Sequence, residues 1–274
     1  MKNIFTVDLE DWYHGNFIEN SSNQGIAHEE RLIDSTNKIL ALLKNTNNSA
    51  TFFVLGVDAE KYPDLIRKIY EEKHEIASHG YEHLLVYNRS KESFSIDLKK
   101  SLNVLESIIN TKVIGFRAPY WSVKKDLEWI WEVLIENGIK YDSSMYPFRT
   151  YLYGNNKSSR FCYKIQVNSG YVYEIPPTVY SLWSKRIPFL GGFFFRILPY
   201  GLTKIGLEKI NLKEKQPGVF YIHPWELDPN KPTNAKGYRD KFILNYNIKN
   251  TEKKINRLLN DFQFTSIKDY FNIK

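Results

Sequence analysis

Short apolar runs alternate with segments of helical periodicity along most of this chain. Residues 3–7 form the first run, residues 31–44 repeat apolar side chains at helical spacing, and residues 50–55 form the second run. The pattern continues with predicted strands at 75–78, 113–116, 139–141, 218–222 and around 264, and with predicted helices at 58–73, 91–110, 126–137 and 253–259. Such alternation produces parallel strands joined by crossover helices. The pattern therefore predicts an α/β fold, and about seven units favour a barrel over an open sheet.

The segment 146–200 does not follow this alternation. It is rich in Tyr, Gly, Pro and Ser, and we interpret it as an insertion or long loop that shapes a substrate cleft. The sequence contains no internal repeat, linker or low-complexity tract. Because 274 residues suit one large α/β domain, residues 1–274 are predicted to form a single domain.

The cysteine content and the apolar runs indicate the cellular compartment. Cys162 is the only cysteine and cannot form an intramolecular disulfide, so the fold does not depend on an oxidising environment. The N-terminal apolar run is too short for a signal peptide. The longest apolar run, 187–195, is shorter than the roughly 20 residues of a membrane span. We therefore expect a cytoplasmic protein.

The net charge of +7 is concentrated near the C-terminus. Residues 236–274 contain nine Lys and Arg against four Asp and Glu. A basic face can meet nucleic acid, a membrane surface or an acidic polysaccharide. No nucleic-acid motif is recognisable, so we favour a solvated face and expect no nucleic-acid partner.

Acidic residues follow the first predicted strand, in the position where parallel α/β proteins place their sites. Asp8, Glu10 and Asp11 are three carboxylates within four residues. In an extended chain, Asp8 and Glu10 point to the same face. One of them could bind a metal while the other acts as a base, although a solvated acidic turn would show the same pattern.

His79 and His83 follow the strand predicted at 75–78 and are four residues apart. On a helical turn both imidazoles would face the same way and could hold one metal ion. Two imidazoles and one carboxylate leave coordination positions open for water, as a hydrolytic site requires. Zinc, cobalt, nickel or iron would suit these ligands. Taken alone, the pair could also be two surface histidines on a loop.

Three later strand ends carry Arg117, Asp142 and His223. An arginine in this position can pair with a carboxylate and keep it ionised, although a structural ion pair would look the same. His223 is a candidate general acid because the usual histidine pKa is close to neutrality, with a core histidine as the alternative. Asp142 could raise the pKa of His223 and fix its tautomer. No partner pattern is visible for the other histidines, His14, His28 and His74.

Read in order, these five clusters resemble the five motifs of the NodB-homology polysaccharide deacetylases, carbohydrate esterase family 4. The resemblance runs from Asp8 to about Pro229. The segments 190–200 and 223–229 further resemble a bacterial subgroup associated with exopolysaccharide biosynthesis, which is similar to the allantoinase-like and peptidoglycan deacetylase branch. The resemblance implies a distorted (β/α)7 barrel. It also implies a metal-dependent hydrolase that removes acetyl groups from an N-acetylated sugar of a bacterial surface polysaccharide or its lipid-linked precursor.

The resemblance also implies roles for the residues around the reacting group. Asp8 matches the catalytic base, and Arg117 matches the arginine that orients this base. The backbone N–H of Tyr120 would share the oxyanion with the metal. His223 matches the general acid, and Asp142 matches the residue that tunes it.

The implied cofactor is a divalent metal ion, with zinc expected first and cobalt, nickel or iron as alternatives. His79 and His83 match the metal-binding histidines. Many family members have two adjacent aspartates in the first motif, whereas here Asp8 and Glu10 are separated by one residue. We favour Glu10 as the carboxylate ligand because strand alternation places it beside Asp8. Asp11 is the alternative.

Two other functions use the same residues. A deformylase or another amide hydrolase would need the same groups, and a carbohydrate-binding protein with an inactive site is the non-enzymatic alternative. The aromatic and basic stretch 187–200 could contact a membrane surface, which would favour a lipid-linked substrate. The sequence predicts a carbohydrate partner and indicates no protein partner.

Overall fold

The computed structural model describes residues 1–14, 28–124, 127–150, 153–183, 185–232 and 237–273, and for 28–30 it describes the backbone only. The strands are β1 (Asn3–Leu9), β2 (Thr51–Val54), β3 (Glu75–Ser78), β4 (Gly115–Phe116), β5 (Tyr141–Asp142), β6 (Tyr163–Val167), β7 (Gly170–Glu174), β8 (Val179–Leu182), β9 (Lys185–Pro188), β10 (Val219–Ile222) and β11 (Phe264–Thr265). The helices are α1 (His28–Asn45), α2 (Gly56–Lys61), α3 (Pro63–Glu71), α4 (Lys91–Ile109), α5 (Trp129–Glu136), α6 (Gly192–Ile197), α7 (Tyr200–Lys209), α8 (Tyr238–Asn245), α9 (Thr251–Asp261) and α10 (Ile267–Phe271).

The main sheet is largely parallel, as the alternation of strands and helices predicts. Its order is β10-β1-β2-β3-β4-β5-β7-β6, in which β6 is the antiparallel edge strand, and β11 also pairs with β1. The strand ladder is interrupted between β7 and β10. Thr178 spans this gap, because its N–H donates to the Val219 carbonyl at 3.1 Å and its hydroxyl accepts from the Val219 N–H at 2.7 Å. The sheet therefore curves towards a barrel.

The central strands are buried on both faces, which is consistent with their largely apolar sequences. All residues of β1 and β2 are buried. Phe5 of β1 packs against Phe220 of β10 with ring centroids 4.7 Å apart. Helices cover the sheet with apolar stripes, and the buried stripe of α4 consists of Phe94, Leu98, Leu102, Leu105 and Ile109. The core thus fixes the strands whose carboxyl ends form the site.

Two predicted helices differ from the structure at their boundaries. The helix predicted at 58–73 is divided into α2 and α3, which meet at Tyr62 before Pro63. A proline excludes the helical conformation from the residue before it, so the division follows from the sequence. The helix predicted at 126–137 is α5, and its predicted first residue lies outside the part of the chain that the structure describes, as does the side chain of His28.

The segment 146–200 contains strands, so its interpretation as a loop excursion is wrong in part. The β6–β7 hairpin joins the main sheet, because β7 pairs in parallel with β5. The strands β8 and β9 form a separate antiparallel hairpin, and α6 follows it. Within the described ranges, no helix has both the length and the apolar character that a membrane span requires.

Candidate active site

Glu10, His79 and His83 come together at the carboxyl edge of the sheet. Glu10 directly follows β1 and His79 directly follows β3. One ligand atom from each of the three residues lies within 4.8 Å of the other two. Glu10 Oε2 lies 2.5 Å from His83 Nε2 and 3.9 Å from His79 Nε2. The three side chains therefore converge on one point.

The two histidines are not on a helical turn, contrary to the expectation from their spacing. Gly80 has a φ of +84°, a conformation that favours glycine, and the chain bends immediately after it. Asp97 of α4 holds this bend, because its carboxylate accepts hydrogen bonds from the N–H groups of Tyr81 (2.8 Å) and Glu82 (3.4 Å). A hydrogen-bonded bend rather than a helix thus brings His83 towards Glu10.

Backbone carbonyls orient both imidazole rings. His79 Nδ1 lies 2.7 Å from the Arg117 carbonyl, and His83 Nδ1 lies 3.0 Å from the His14 carbonyl. A carbonyl only accepts hydrogen bonds, so each Nδ1 carries a proton and each Nε2 faces the Glu10 side. Tyr120 also donates from its hydroxyl to the His14 carbonyl at 2.6 Å. His14 thus supports the site through its backbone, which its side-chain type could not reveal.

The chemistry of these donors fits a divalent metal ion. Glu10 Oε2 is buried and has no hydrogen-bond partner among the described residues. A buried carboxylate oxygen needs a hydrogen bond or a cation to offset its loss of hydration, and a bound metal ion would supply this. Burial lowers the pKa of His79 to about 4, and the neutral imidazole is the form that binds metals. Burial raises the pKa of Glu10, but His83 and His223 outweigh it and hold the pKa well below its usual range. Two imidazole nitrogens and one carboxylate suit zinc, cobalt, nickel or iron.

The carboxylate grouped with the histidines is that of Glu10 and not that of Asp11. Asp11 Oδ1 accepts a hydrogen bond from the Trp12 N–H at 2.7 Å, and the Asp11 N–H donates to His14 Nδ1 at 3.1 Å. These bonds hold Asp11 in the short helical turn after β1. The geometry therefore supports the choice of Glu10 as the third ligand.

Asp8 is held in place by a fully buried arginine. Arg117 Nη1 donates to Asp8 Oδ1 at 2.6 Å, and the guanidinium also bonds the hydroxyls of Thr6 (3.0 Å) and Ser143 (2.8 Å). Its central carbon lies 4.1 Å from the centre of the Phe53 ring. These contacts restrict Arg117 to one position, so Asp8 has a fixed orientation towards the cavity.

His223 directly follows β10 and faces both carboxylates. Its Nε2 lies 3.4 Å from Glu10 Oε1 and 3.8 Å from Asp8 Oδ2. Its Nδ1 lies 2.8 Å from Glu226 Oε1. Burial lowers the pKa of His223, but Glu10, Glu226 and Asp8 raise it more strongly, and the result is a pKa of about 9. The environment therefore favours the protonated imidazole.

The expectation that Asp142 tunes His223 is corrected by this geometry, because the carboxylate bonded to His223 Nδ1 is that of Glu226. Asp142 instead accepts hydrogen bonds from the Ser144 hydroxyl and, at 3.3 Å, from Trp131 Nε1. Glu226 is three residues after His223 on a short helical turn, so a local contact replaces the predicted distant one.

The site opens into a cavity of about 540 Å³. Asp8, Glu10 and the imidazoles occupy one side, and Tyr120, which has a φ of 55°, lies in the turn beside them. Its ring centre is 4.5 Å from that of His83. Much of the remaining wall is aromatic, with Phe148, Phe193, Phe194, Trp225 and Phe242, and Arg239 also lines it. The segment 146–200 thus contributes part of the cleft.

Comparison with known proteins is consistent with this architecture. Residues 30–141 match the polysaccharide deacetylase family, and residues 143–272 match a domain of unknown function, DUF3473. Over 101 residues, 36% of this chain, the sequence is 32% identical to a peptidoglycan-N-acetylglucosamine deacetylase of Bacillus cereus. Over 108 residues it is 27% identical to a peptidoglycan deacetylase of Helicobacter pylori. The matched stretches span 37% and 36% of these two relatives, respectively.

Two solved structures share the fold over nearly the whole chain. A Mycobacterium smegmatis protein described as a polysaccharide deacetylase superposes with a TM-score of 0.64 at 20% identity, covering 98% of this chain and 88% of its own. The allantoinase PuuE superposes with a TM-score of 0.61 at 16% identity, covering 97% and 87%. The predicted barrel-type α/β fold is therefore confirmed. Residues 30–141 thus resemble the polysaccharide deacetylase family in sequence, and the whole chain shares its fold with these two structures.

Proposed function

We propose that this protein is a metal-dependent hydrolase that removes the acetyl group from an N-acetylated sugar. The observation that carries the proposal is the convergence of Glu10, His79 and His83 on one point, with Asp8 and His223 facing the same cavity. A metal site flanked by a candidate base and a candidate acid is the arrangement that amide hydrolysis requires.

Glu10, His79 and His83 would hold the metal, with zinc as the first candidate. A divalent ion in this position would polarise the acetyl carbonyl and make a water molecule acidic. Asp8, oriented by Arg117, accepts the proton of the attacking water. Asp8 is placed for this task because Arg117 bonds its Oδ1. Its Oδ2 remains on the side of the cavity that carries His223.

The remaining steps use the other side of the cavity. The Tyr120 N–H donates to the oxygen that becomes negative as the carbonyl is attacked. His223 gives its Nε2 proton to the nitrogen of the amino sugar as the C–N bond breaks. Acetate and a free amino sugar are the products, and protonation of the new amine adds a positive charge to the glycan.

The substrate class is supported by the relatives and by the cavity wall. The two bacterial relatives are named for peptidoglycan, which supports a glycan of the bacterial surface or its lipid-linked precursor. The aromatic wall suits a sugar ring or an apolar group. Phe242 is 49% exposed, and its ring centre is 4.9 Å from that of the exposed Tyr246, so the apolar wall continues to the surface. This continuity favours the lipid-linked substrate.

Acetate release by metal-reconstituted protein tests the proposal. The screen should compare N-acetylated glycan oligomers with lipid-linked N-acetylated sugars, and we expect release from at least one class. His83→Ala should lose both bound metal and acetate release. Glu214→Gln, which changes a carboxylate outside the cavity, is the control and should retain both. Acetate release at the wild-type rate by metal-free His83→Ala would refute the proposal, and a metal-loaded protein that binds glycans without releasing acetate would indicate the inactive binding protein instead.

A further inference from the structure

A buried ion pair lies behind His223, on the side away from the metal-binding group. Arg196 Nε donates to Glu226 Oε2 at 2.6 Å, and Glu226 Oε1 lies 2.8 Å from His223 Nδ1. Arg196 is 1% exposed and Glu226 is fully buried. One carboxylate thus connects a buried cation to the imidazole, each through a different oxygen atom.

Arg196 is held as firmly as the arginine beside Asp8. Its Nη1 donates to the Tyr246 carbonyl at 2.6 Å and its Nη2 donates to the Ile243 carbonyl at 2.7 Å. Both carbonyls lie at the C-terminal end of α8, where the helix dipole favours a positive charge. The backbone carbonyl of Arg196 accepts a hydrogen bond from Asn247 Nδ2 at 2.7 Å. The guanidinium therefore has one available orientation.

We propose that Arg196 and Glu226 are positioning residues for His223, and that residues 143–272, the region of unknown function, hold the general acid of the site in this way. This inference rests on the proposed function, because it takes His223 to be the proton donor. Glu226 accepts the Nδ1 proton, so the Nε2 of His223 is directed at the cavity. Arg196 keeps Glu226 ionised and prevents its carboxylate from rotating.

The energetics of burial support a role in the site over a role in stability. A buried ion pair contributes little more to folding than a well-packed apolar pair, because both charges lose their hydration. Arg196 and Glu226 are both removed from water. The guanidinium nitrogens of Arg196 and both carboxylate oxygens of Glu226 nevertheless make the hydrogen bonds described above. A buried arginine that bonds a carboxylate occurs twice around the cavity. Arg117 bonds the candidate base Asp8 directly, and Arg196 acts on the candidate acid through Glu226.

Glu226→Gln tests the inference with two acetyl substrates. For an N-acetylated sugar, we expect kcat to fall by about 100-fold, on the scale of general acid catalysis, with KM little changed. For 4-nitrophenyl acetate we expect little loss, because nitrophenolate leaves without protonation. Glu214→Gln is the matched control, since Glu214 pairs with Arg160 (2.8 Å) in the same region but outside the cavity. It should leave both rates unchanged.

Equal losses on both substrates would show a structural role and overturn the inference, as would an unchanged rate on the sugar. A ¹⁵N NMR spectrum of the histidines in the wild-type protein tests the inference even if Glu226→Gln folds poorly. The His223 signals are assigned by comparison with His223→Gln. We expect a protonated Nδ1 bonded to a carboxylate, and an unprotonated Nδ1 would overturn the inference. Failure of the wild-type protein to release acetate would refute the proposed function instead, and the NMR result would still decide the positioning.

Discussion

The stability of Asp142→Asn relative to the wild type should increase as the pH rises through about 6. Asp142 and Glu174 lie opposite each other in the register of β5 and β7, and both are fully buried. Burial raises the pKa of Asp142 to about 6. Burial and the negative charge of Asp142 together raise the pKa of Glu174 well above its usual range. Two carboxylates this close in an apolar environment cannot both ionise without a cost, and the asparagine removes one of them.

The size and sign follow from the pKa of Asp142. The change from 3.8 to about 6 corresponds to about 3 kcal/mol at about 1.4 kcal/mol per pKa unit. Because the folded-state pKa is raised, the protonated carboxyl stabilises the fold fully below about pH 4, and this contribution is lost as the pH rises through about 6. The free energy of unfolding of Asp142→Asn minus that of the wild type should therefore increase by about 3 kcal/mol between pH 4 and pH 7.

Urea unfolding at several pH values between 4 and 8 measures this difference, and subtraction removes the titration of groups that do not interact with Asp142. Loss of the Asp142 charge also lowers the pKa of Glu174, which increases the difference in the same direction. Asp64→Asn is the control, because Asp64 is 94% exposed on α3 and its ion pair with Arg67 contributes less than about 1 kcal/mol. A difference that stays flat, or that decreases as the pH rises, would refute the reasoning. Acetate release should survive in Asp142→Asn, and a loss as complete as in His223→Ala would restore the role first predicted for Asp142.

Three further changes test other parts of the molecule. Arg117→Met leaves Asp8 buried without its cation and should lower the free energy of unfolding, measured in urea, by about 3–5 kcal/mol. The control Arg67→Met should lower it by less than about 1 kcal/mol. Equal effects of the two changes would contradict a stabilising role of the buried Arg117–Asp8 pair. Ser90→Ala removes the hydroxyl that accepts from the Ser93 N–H at the start of α4 and should cost about 1 kcal/mol in thermal unfolding, and no change would contradict this cap. Dialysis against a chelator should abolish acetate release and added zinc or cobalt should restore it, so activity in metal-free protein would argue against the metal site.

Much of the site could be predicted because polar residues directly follow apolar strands. Glu10 follows β1 and His79 follows β3, and parallel strands place such residues at one edge of the sheet. The alternation of side chains in an extended chain was enough to favour Glu10 over Asp11. The spacing of His79 and His83 predicted that their imidazoles lie close together, but on a helical turn, whereas Gly80 bends the chain there.

The environment of Asp142 could not be predicted because it depends on a strand within the segment 146–200. That segment lacks the alternation that identifies parallel strands, yet its strand β7 pairs with β5 and brings Glu174 beside Asp142. Arg196 was visible as the single charge that ends the apolar run 187–195. An isolated arginine in such a run indicates a buried partner, but only the fold identifies Glu226, 30 residues later, as that partner.

The cavity is lined by residues from both halves of the chain. The part that matches the polysaccharide deacetylase family contributes Arg117, whose guanidinium donates to Asp8 of β1. The part of unknown function contributes His223, Glu226 and Arg196. Hydrolysis of an amide needs both a group that accepts a proton and a group that donates one. These groups come from opposite sides of residue 142, so on the proposed function the second region would supply the proton donor and not only a surface for substrate binding.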